Sequence, residues 1–254
     1  MNEAIILELK SLYAAQSKHS NYQVLPSILK DLIHPEDLTT VSRSELERWK
    51  FINDHVVFQG KNVVDIGANS GFFSLESYSA GAASVMAIEG NREHSGFIKR
   101  VSELLDLKGV KSQNSYVDFL SKESIPTSDI LILLNVLHHL GDDFGDLSLD
   151  KDKAVDLMKE SLRNAYRSTS ILIFQLGFNW KGNRTLGLFK YGLKTEIIQF
   201  VKESLDSENY EMLIGIASYN DDGIVYSFQD EKNLARFDSL GEFLNRPLFI
   251  IKRK

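Results

Sequence analysis

The stretch Asn62-Val63-Val64-Asp65-Ile66-Gly67-Ala68-Asn69-Ser70-Gly71-Phe72-Phe73 constrains this chain more than any other. Residues 63–66 form an apolar run of buried-strand length, apart from one acid. The run stops at a glycine-bearing turn and passes directly into an apolar, helix-like segment over residues 72–79. A strand, a tight turn and a helix together present backbone N–H groups at a helix N-terminus, the geometry of a ligand-binding turn. Asp65 is the unusual residue. It sits near the end of an otherwise apolar strand, and a buried carboxylate is costly without a partner. The turn therefore predicts a ligand with a cation or several donors near Asp65.

The rest of the chain repeats this unit. Strands are expected at 84–89, 110–113, 129–134 and 170–176, with helices at 92–107, 153–166 and 195–207. Strands at 211–217 and 248–252 lack a crossover helix between them and read as an antiparallel pair. Asp221-Asp222-Gly223 reads as a hairpin turn. The pattern predicts an α/β sheet with helices on both faces, and ligands bind beyond the carboxyl ends of such strands. Residues 1–58 read differently, as a helical extension or lid ahead of a main domain over 59–254. Ile5, Ile6, Leu9, Leu12 and Tyr13 have helical spacing, and Pro26 opens a second helical stretch to residue 33. Ser44 with Glu47 has capping-box spacing at the start of a third helix, which carries Trp49, Phe51 and Ile52.

At 43% hydrophobic the chain can bury a full core. A net charge of −6 disfavours a general nucleic-acid binder without excluding a local basic patch. The absence of cysteine removes disulfides, thiolate metal sites and a cysteine nucleophile. Glu3, Glu8 and Lys10 interrupt the first apolar stretch, and the longest apolar run, residues 130–137, is too short to span a bilayer. A soluble cytoplasmic protein is expected; its oligomeric state is not legible.

Two common phosphate-binding turns fail. The nicotinamide fingerprint needs glycine where Asn69 and Phe72 stand, which disfavours a dehydrogenase, and no Gly-Lys-Ser/Thr follows for a P-loop. An acid, Gly67, Gly71 and a second acid closing the next strand, Glu89, do match a pattern. They resemble motif I of class I S-adenosylmethionine-dependent methyltransferases, with Asn69 as a variant of the middle glycine. Asn tolerates the left-handed conformation better than other non-Gly residues. Asn135-Val136-Leu137-His138-His139-Leu140 resembles the fourth motif of that family. Residues 114–118 stand where its adenine-contacting loop belongs, although the usual Gly-Asp pair is absent.

The resemblance covers roughly residues 60–176. It implies a Rossmann-like, mostly parallel seven-stranded sheet with an antiparallel last strand, and S-adenosyl-L-methionine as cofactor. The implied donor contacts are Asp65, Gly67, Ala68, Asn69, Gly71, Phe72, Glu89, Gly90, Tyr116, Val117, Asn135 and Val136. Glu89 takes the ribose hydroxyls, and Asp65 helps to hold the amino acid end. Residues 43–50 are also similar to the segment before motif I in tRNA wobble-uridine carboxymethyltransferases. Their full set of partners for a carboxylated donor does not map here, so the plain donor is favoured.

Methyl transfer mainly requires alignment, plus a base where the acceptor must lose a proton. His138 and His139 are the candidate catalytic residues; packing or capping after the fourth strand is the alternative. Asp142 and Asp143 follow closely, but spacing alone does not make a metal site, and no metal is expected. The polar segment 18–23, with Tyr22 and Gln23, reads either as a lid over donor or acceptor or as a plain loop. Trp180 and Arg184, in a long loop after the fifth strand, are candidate substrate residues or ordinary surface. The expected activity is methyl transfer to a small-molecule or glycan-type hydroxyl. The alternatives are a tRNA-modifying methyl- or carboxymethyltransferase and a non-catalytic donor-binding module.

Overall fold

The computed structural model describes residues 3–14, 23–33, 38, 40 and 42–254. Its contacts divide the chain into two compact units, Met1–Tyr116 and Val117–Lys254. The strands follow the order β3-β2-β1-β4-β5-β8-β6-β7 in one sheet.

The first unit holds β1 (Asn62–Ile66), β2 (Ser84–Glu89) and β3 (Val110–Asn114), all parallel. The apolar runs at 63–66 and 84–89 become adjacent strands, with Asp65 opposite Ala87 and Ile66 opposite Ile88. Two helices connect them: α3 (Phe72–Ser79) and α4 (Arg92–Leu104). Asn91 caps α4, its side-chain oxygen accepting from the Glu93 and His94 N–H groups, a cap that contributes about 1 kcal/mol. Phe97, Ile98 and Val101 line one face of α4 and are fully buried. Each such side chain contributes roughly 2 kcal/mol.

The helical preface packs inside this first unit. Helix α1 (Glu3–Tyr13) lies against α4, with Tyr13 edge-on to Phe97 at 5.5 Å and Arg100 paired to Glu8 at 3.1 Å. Helix α2 (Glu45–His55) begins where expected, but the capping box does not form. Ser44 is left-handed and its side chain makes no cap bond. The carboxylate that serves this end is Glu45, which accepts from Arg43 N–H and Ser42 Oγ and pairs with Arg48 at 3.0 Å. The helix expected after Pro26 is only a 3-10 turn, Ser27–Leu29, followed by turns.

The second unit holds the parallel pair β4 (Ser128–Leu134) and β5 (Thr169–Gln175). Residues 130–133 are fully buried, which is why this run is continuously apolar. Helices α5 (Lys151–Arg167) and α6 (Lys194–Ser204) accompany them. Strand β8 (Leu248–Arg253) lies antiparallel between β5 and β6 (Tyr210–Asn220). The Asp221-Asp222 turn continues β6 into β7 (Gly223–Phe228), its antiparallel hairpin partner. This hairpin brings the sheet to eight strands, one more than the seven expected. The sheet is mostly parallel with an antiparallel end, as the sequence implies.

Candidate functional site

In the first unit the turn after β1 is built by hydrogen bonds to its neighbouring strand. Gly67 and Ala68 N–H donate to the Ile88 carbonyl at 2.8 and 3.3 Å, and Gly71 N–H donates to the Ala68 carbonyl at 2.9 Å. Asn69 and Gly71 both have positive φ, 53° and 83°. A Cβ on Gly71 would lie 2.6 Å from the Ile98 side chain, so the position excludes other residues twice over. Asn69 turns its own side chain onto Ser70 N–H at 2.8 Å.

The two acids have different surroundings. Asp65 is buried and accepts from Ser74 Oγ at 2.6 Å. Burial pushes its pKa up to about 7; the Ser74 hydrogen bond opposes that shift and the nearby charge of Glu89 adds to it. Glu89 ends β2, half-buried, and accepts from Asn69 N–H at 2.7 Å and Asn91 N–H at 2.8 Å. Tyr116 is exposed, and its ring lies so close to Gly90 that a Cβ there would sit 2.3 Å from it. Asn114 Nδ2 donates to the carbonyls of Glu89 and Gly90, fixing the loop after β3 against the end of β2. Asn69, Glu89, Gly90 and Tyr116 thus converge. Gln23 joins them: its side-chain oxygen accepts from Ser70 Oγ and Phe72 N–H, both at 3.1 Å. Tyr22 lies outside the described residues.

The second unit carries the other candidates. After β4, Asn135 is left-handed (φ 61°) and leads into a 3-10 turn, Leu137–His139. Asn135 Nδ2 donates to Gln175 Oε1 at 2.9 Å, and Arg246 Nη1 donates to Asn135 Oδ1 at 2.7 Å. Arg246 is also bonded to Glu242 through Nε at 3.1 Å and Nη2 at 2.6 Å, and Glu242 accepts from Phe178 N–H. Burial pushes the Glu242 carboxyl up, but the Arg246 charge and these hydrogen bonds outweigh it and hold the group below its ordinary value. Gln175, Glu242 and Arg246 carry no local sequence signal. Nothing in the spacing of residues far apart in the chain announces this network. Val136 follows Asn135 half-buried, and Val117 is buried.

The two histidines sit with their rings 4.3 Å apart but have different partners. His138 is buried, and its Nδ1 accepts from Gly177 N–H at 3.3 Å. Gly177 must be glycine for this, since a Cβ would come within 2.8 Å of the imidazole. His139 Nδ1 faces Asp143 Oδ2 at 3.2 Å and Asp142 Oδ2 at 3.7 Å. One ligand atom from each of these three residues lies within 4.8 Å of the others. The cluster has the ligand types to hold a cation, and the His139–Asp143 contact equally accounts for its closeness. Trp180 is 6% exposed and its indole N–H donates to the Leu140 carbonyl at 2.7 Å. It is a packed part of this wall, with Lys181 over its ring at 4.3 Å, and not an open stacking surface. Arg184 is exposed on the same loop.

No protein-family model matches the chain, and no curated protein matches it by sequence. It is similar to solved structures of WbdD. One, with its C-terminal bundle ordered, matches at a TM-score of 0.60 and 16% identity over 99% of this chain and 41% of that one. A co-crystal of WbdD with a kinase inhibitor matches at 0.58 and 16% identity, covering 96% and 47%. A third, described as a bifunctional kinase-methyltransferase, matches at 0.56 and 16% identity, covering 96% and 46%. The chain therefore spans less than half the length of WbdD. With the strand order above, the likeness gives the fold, a Rossmann-like and mostly parallel α/β sheet.

Proposed function

We propose that the chain transfers a methyl group from S-adenosylmethionine to a hydroxyl of a small-molecule or glycan-type acceptor. The observation that carries this reading is Glu89. Its carboxylate closes β2 beside the left-handed Asn69–Gly71 turn and already accepts two N–H donors. A carboxylate so placed suits the paired ribose hydroxyls of the donor. The exposed Tyr116 ring beside Gly90 offers a face for the adenine. The likeness in fold to a protein described as a bifunctional kinase-methyltransferase supports methyl transfer. The net charge of −6 weighs against a nucleic acid acceptor.

Bound S-adenosylmethionine supplies a methyl group already activated on a sulfonium. What remains for the chain is to align the acceptor and to remove its proton. His139 is the base in this reading. The Asp143 carboxylate lies 3.2 Å from its Nδ1, and a negative charge there stabilises the imidazolium that forms when the ring takes the acceptor's proton. His138, with Nδ1 already accepting from Gly177, is its packed neighbour.

Calorimetry with S-adenosylhomocysteine tests the donor half. Glu89→Ala is expected to weaken binding by roughly a hundredfold, since two hydrogen bonds to a charged group are lost. Unchanged affinity would sink the reading. Transfer from labelled donor to a panel of sugars and hydroxylated small molecules tests the acceptor half. Tight donor binding with no turnover on any acceptor would favour a non-catalytic donor-binding module.

A further inference from the structure

The segment from Gln23 to Leu29 lies along α3 and touches it at two points. At one, Ser27 N–H and Oγ donate to the Glu76 carboxylate, at 2.5 and 3.1 Å. At the other, the Gln23 side-chain oxygen sits on the N-terminus of α3. It accepts from Phe72 N–H, in the first turn, and from the hydroxyl of Ser70, a residue only 3% exposed. The segment is well anchored. Leu25 and Leu29 are buried, and the Tyr13 hydroxyl donates to the Gln23 carbonyl. Gly71, the N-cap residue, has no side chain to serve this helix end, so an oxygen from 49 residues away in sequence serves it instead.

An oxygen at a helix N-terminus, held by a backbone N–H and a buried hydroxyl, has the position and chemistry of one carboxylate oxygen. We propose that Gln23 is a built-in competitor for the amino acid end of the donor: its amide oxygen and the donor carboxylate use the same two hydrogen-bond donors. The inference rests on the donor reading given above. Gln23 thereby sets how strongly the site favours ligands with an amino acid end over ligands without one.

The test compares S-adenosylhomocysteine with methylthioadenosine, which keeps the adenosine and sulfur but lacks the amino acid end. Gln23→Ala removes the competing oxygen and is expected to tighten S-adenosylhomocysteine binding about fivefold, one modest hydrogen bond's worth. Methylthioadenosine should bind as before. Gln23→Glu places a charged competitor on the same donors and is expected to weaken S-adenosylhomocysteine alone, by about tenfold. The opposite signs separate competition from loss of folding, which would weaken both ligands in both variants. Weaker S-adenosylhomocysteine binding by Gln23→Ala, with methylthioadenosine unchanged, would make Gln23 a donor contact and overturn the proposal. Equal effects on the two ligands would overturn it as well. If the unaltered protein binds neither ligand, the donor reading itself fails, a distinct result.

Discussion

The turns after β1 and β4 are the same device stabilised in two ways. Each ends a buried parallel strand, and each places a left-handed asparagine, Asn69 or Asn135, at the strand's carboxyl end. Asn69 satisfies itself locally, with its side chain on the next residue's N–H. Asn135 spends its side chain on Gln175 and Arg246, 40 and 111 residues away. The nearby acids differ in the same sense. Asp65 is buried beside the Ser74 hydroxyl, and its pKa rises to about 7. Glu242 is paired to Arg246, and its pKa falls. In the turn after β1 the asparagine side chain is used next door, on the Ser70 N–H. A turn that must hold side chains in register needs support from the rest of its unit.

The largest expected effect divides the two regions by role. His139→Ala should lower kcat by about a thousandfold, the usual scale for a lost general base, and leave S-adenosylhomocysteine affinity unchanged. Full activity would return His139 to packing and end the division. Asp65 gives the next effect, through pH. Its folded-state pKa lies above the unfolded value, so the folded chain holds the proton more tightly. Stability from this group is present below about pH 4 and is lost as pH rises through about 7, by on the order of 4 kcal/mol. Asp65→Asn should therefore be more stable than the parent at pH 8 and nearly equal to it at pH 4. Urea midpoints across that range measure it, and a pH-independent difference would contradict the raised pKa. The smallest effect compares the asparagines directly. Asn69→Gly keeps the left-handed backbone and should change stability by less than about 0.5 kcal/mol. Asn135→Gly keeps the backbone but strips Arg246 and Gln175 of a partner, at about 2 kcal/mol. Equal urea midpoints for the two variants would break the comparison.

Much of the first region was legible in the sequence. Asp65, the positive-φ positions and Glu89 stand within one strand–turn–helix–strand unit, where chain connectivity leaves few arrangements. The hairpin at Asp221-Asp222 was legible for the same reason. The helical preface misled at Ser44, because the capping-box spacing does not reveal that Glu45 will turn to Arg43 and Arg48. The histidine pair was visible as a pair, but not as two roles. His138 meets the Gly177 N–H and His139 lies beside Asp143, and only one of these neighbours is near in sequence.

The sequence by itself determined the alternation of strands and helices and the glycine-bearing turn after β1, because those follow from periodicity and from bonds between near neighbours. Tertiary structure decided that Arg246 and Glu242 brace Asn135, that Trp180 is wall and not surface, and that Gln23 sits on the end of α3. Each of these joins residues that packing alone brings within hydrogen-bond distance, and a one-dimensional pattern carries no record of such distances.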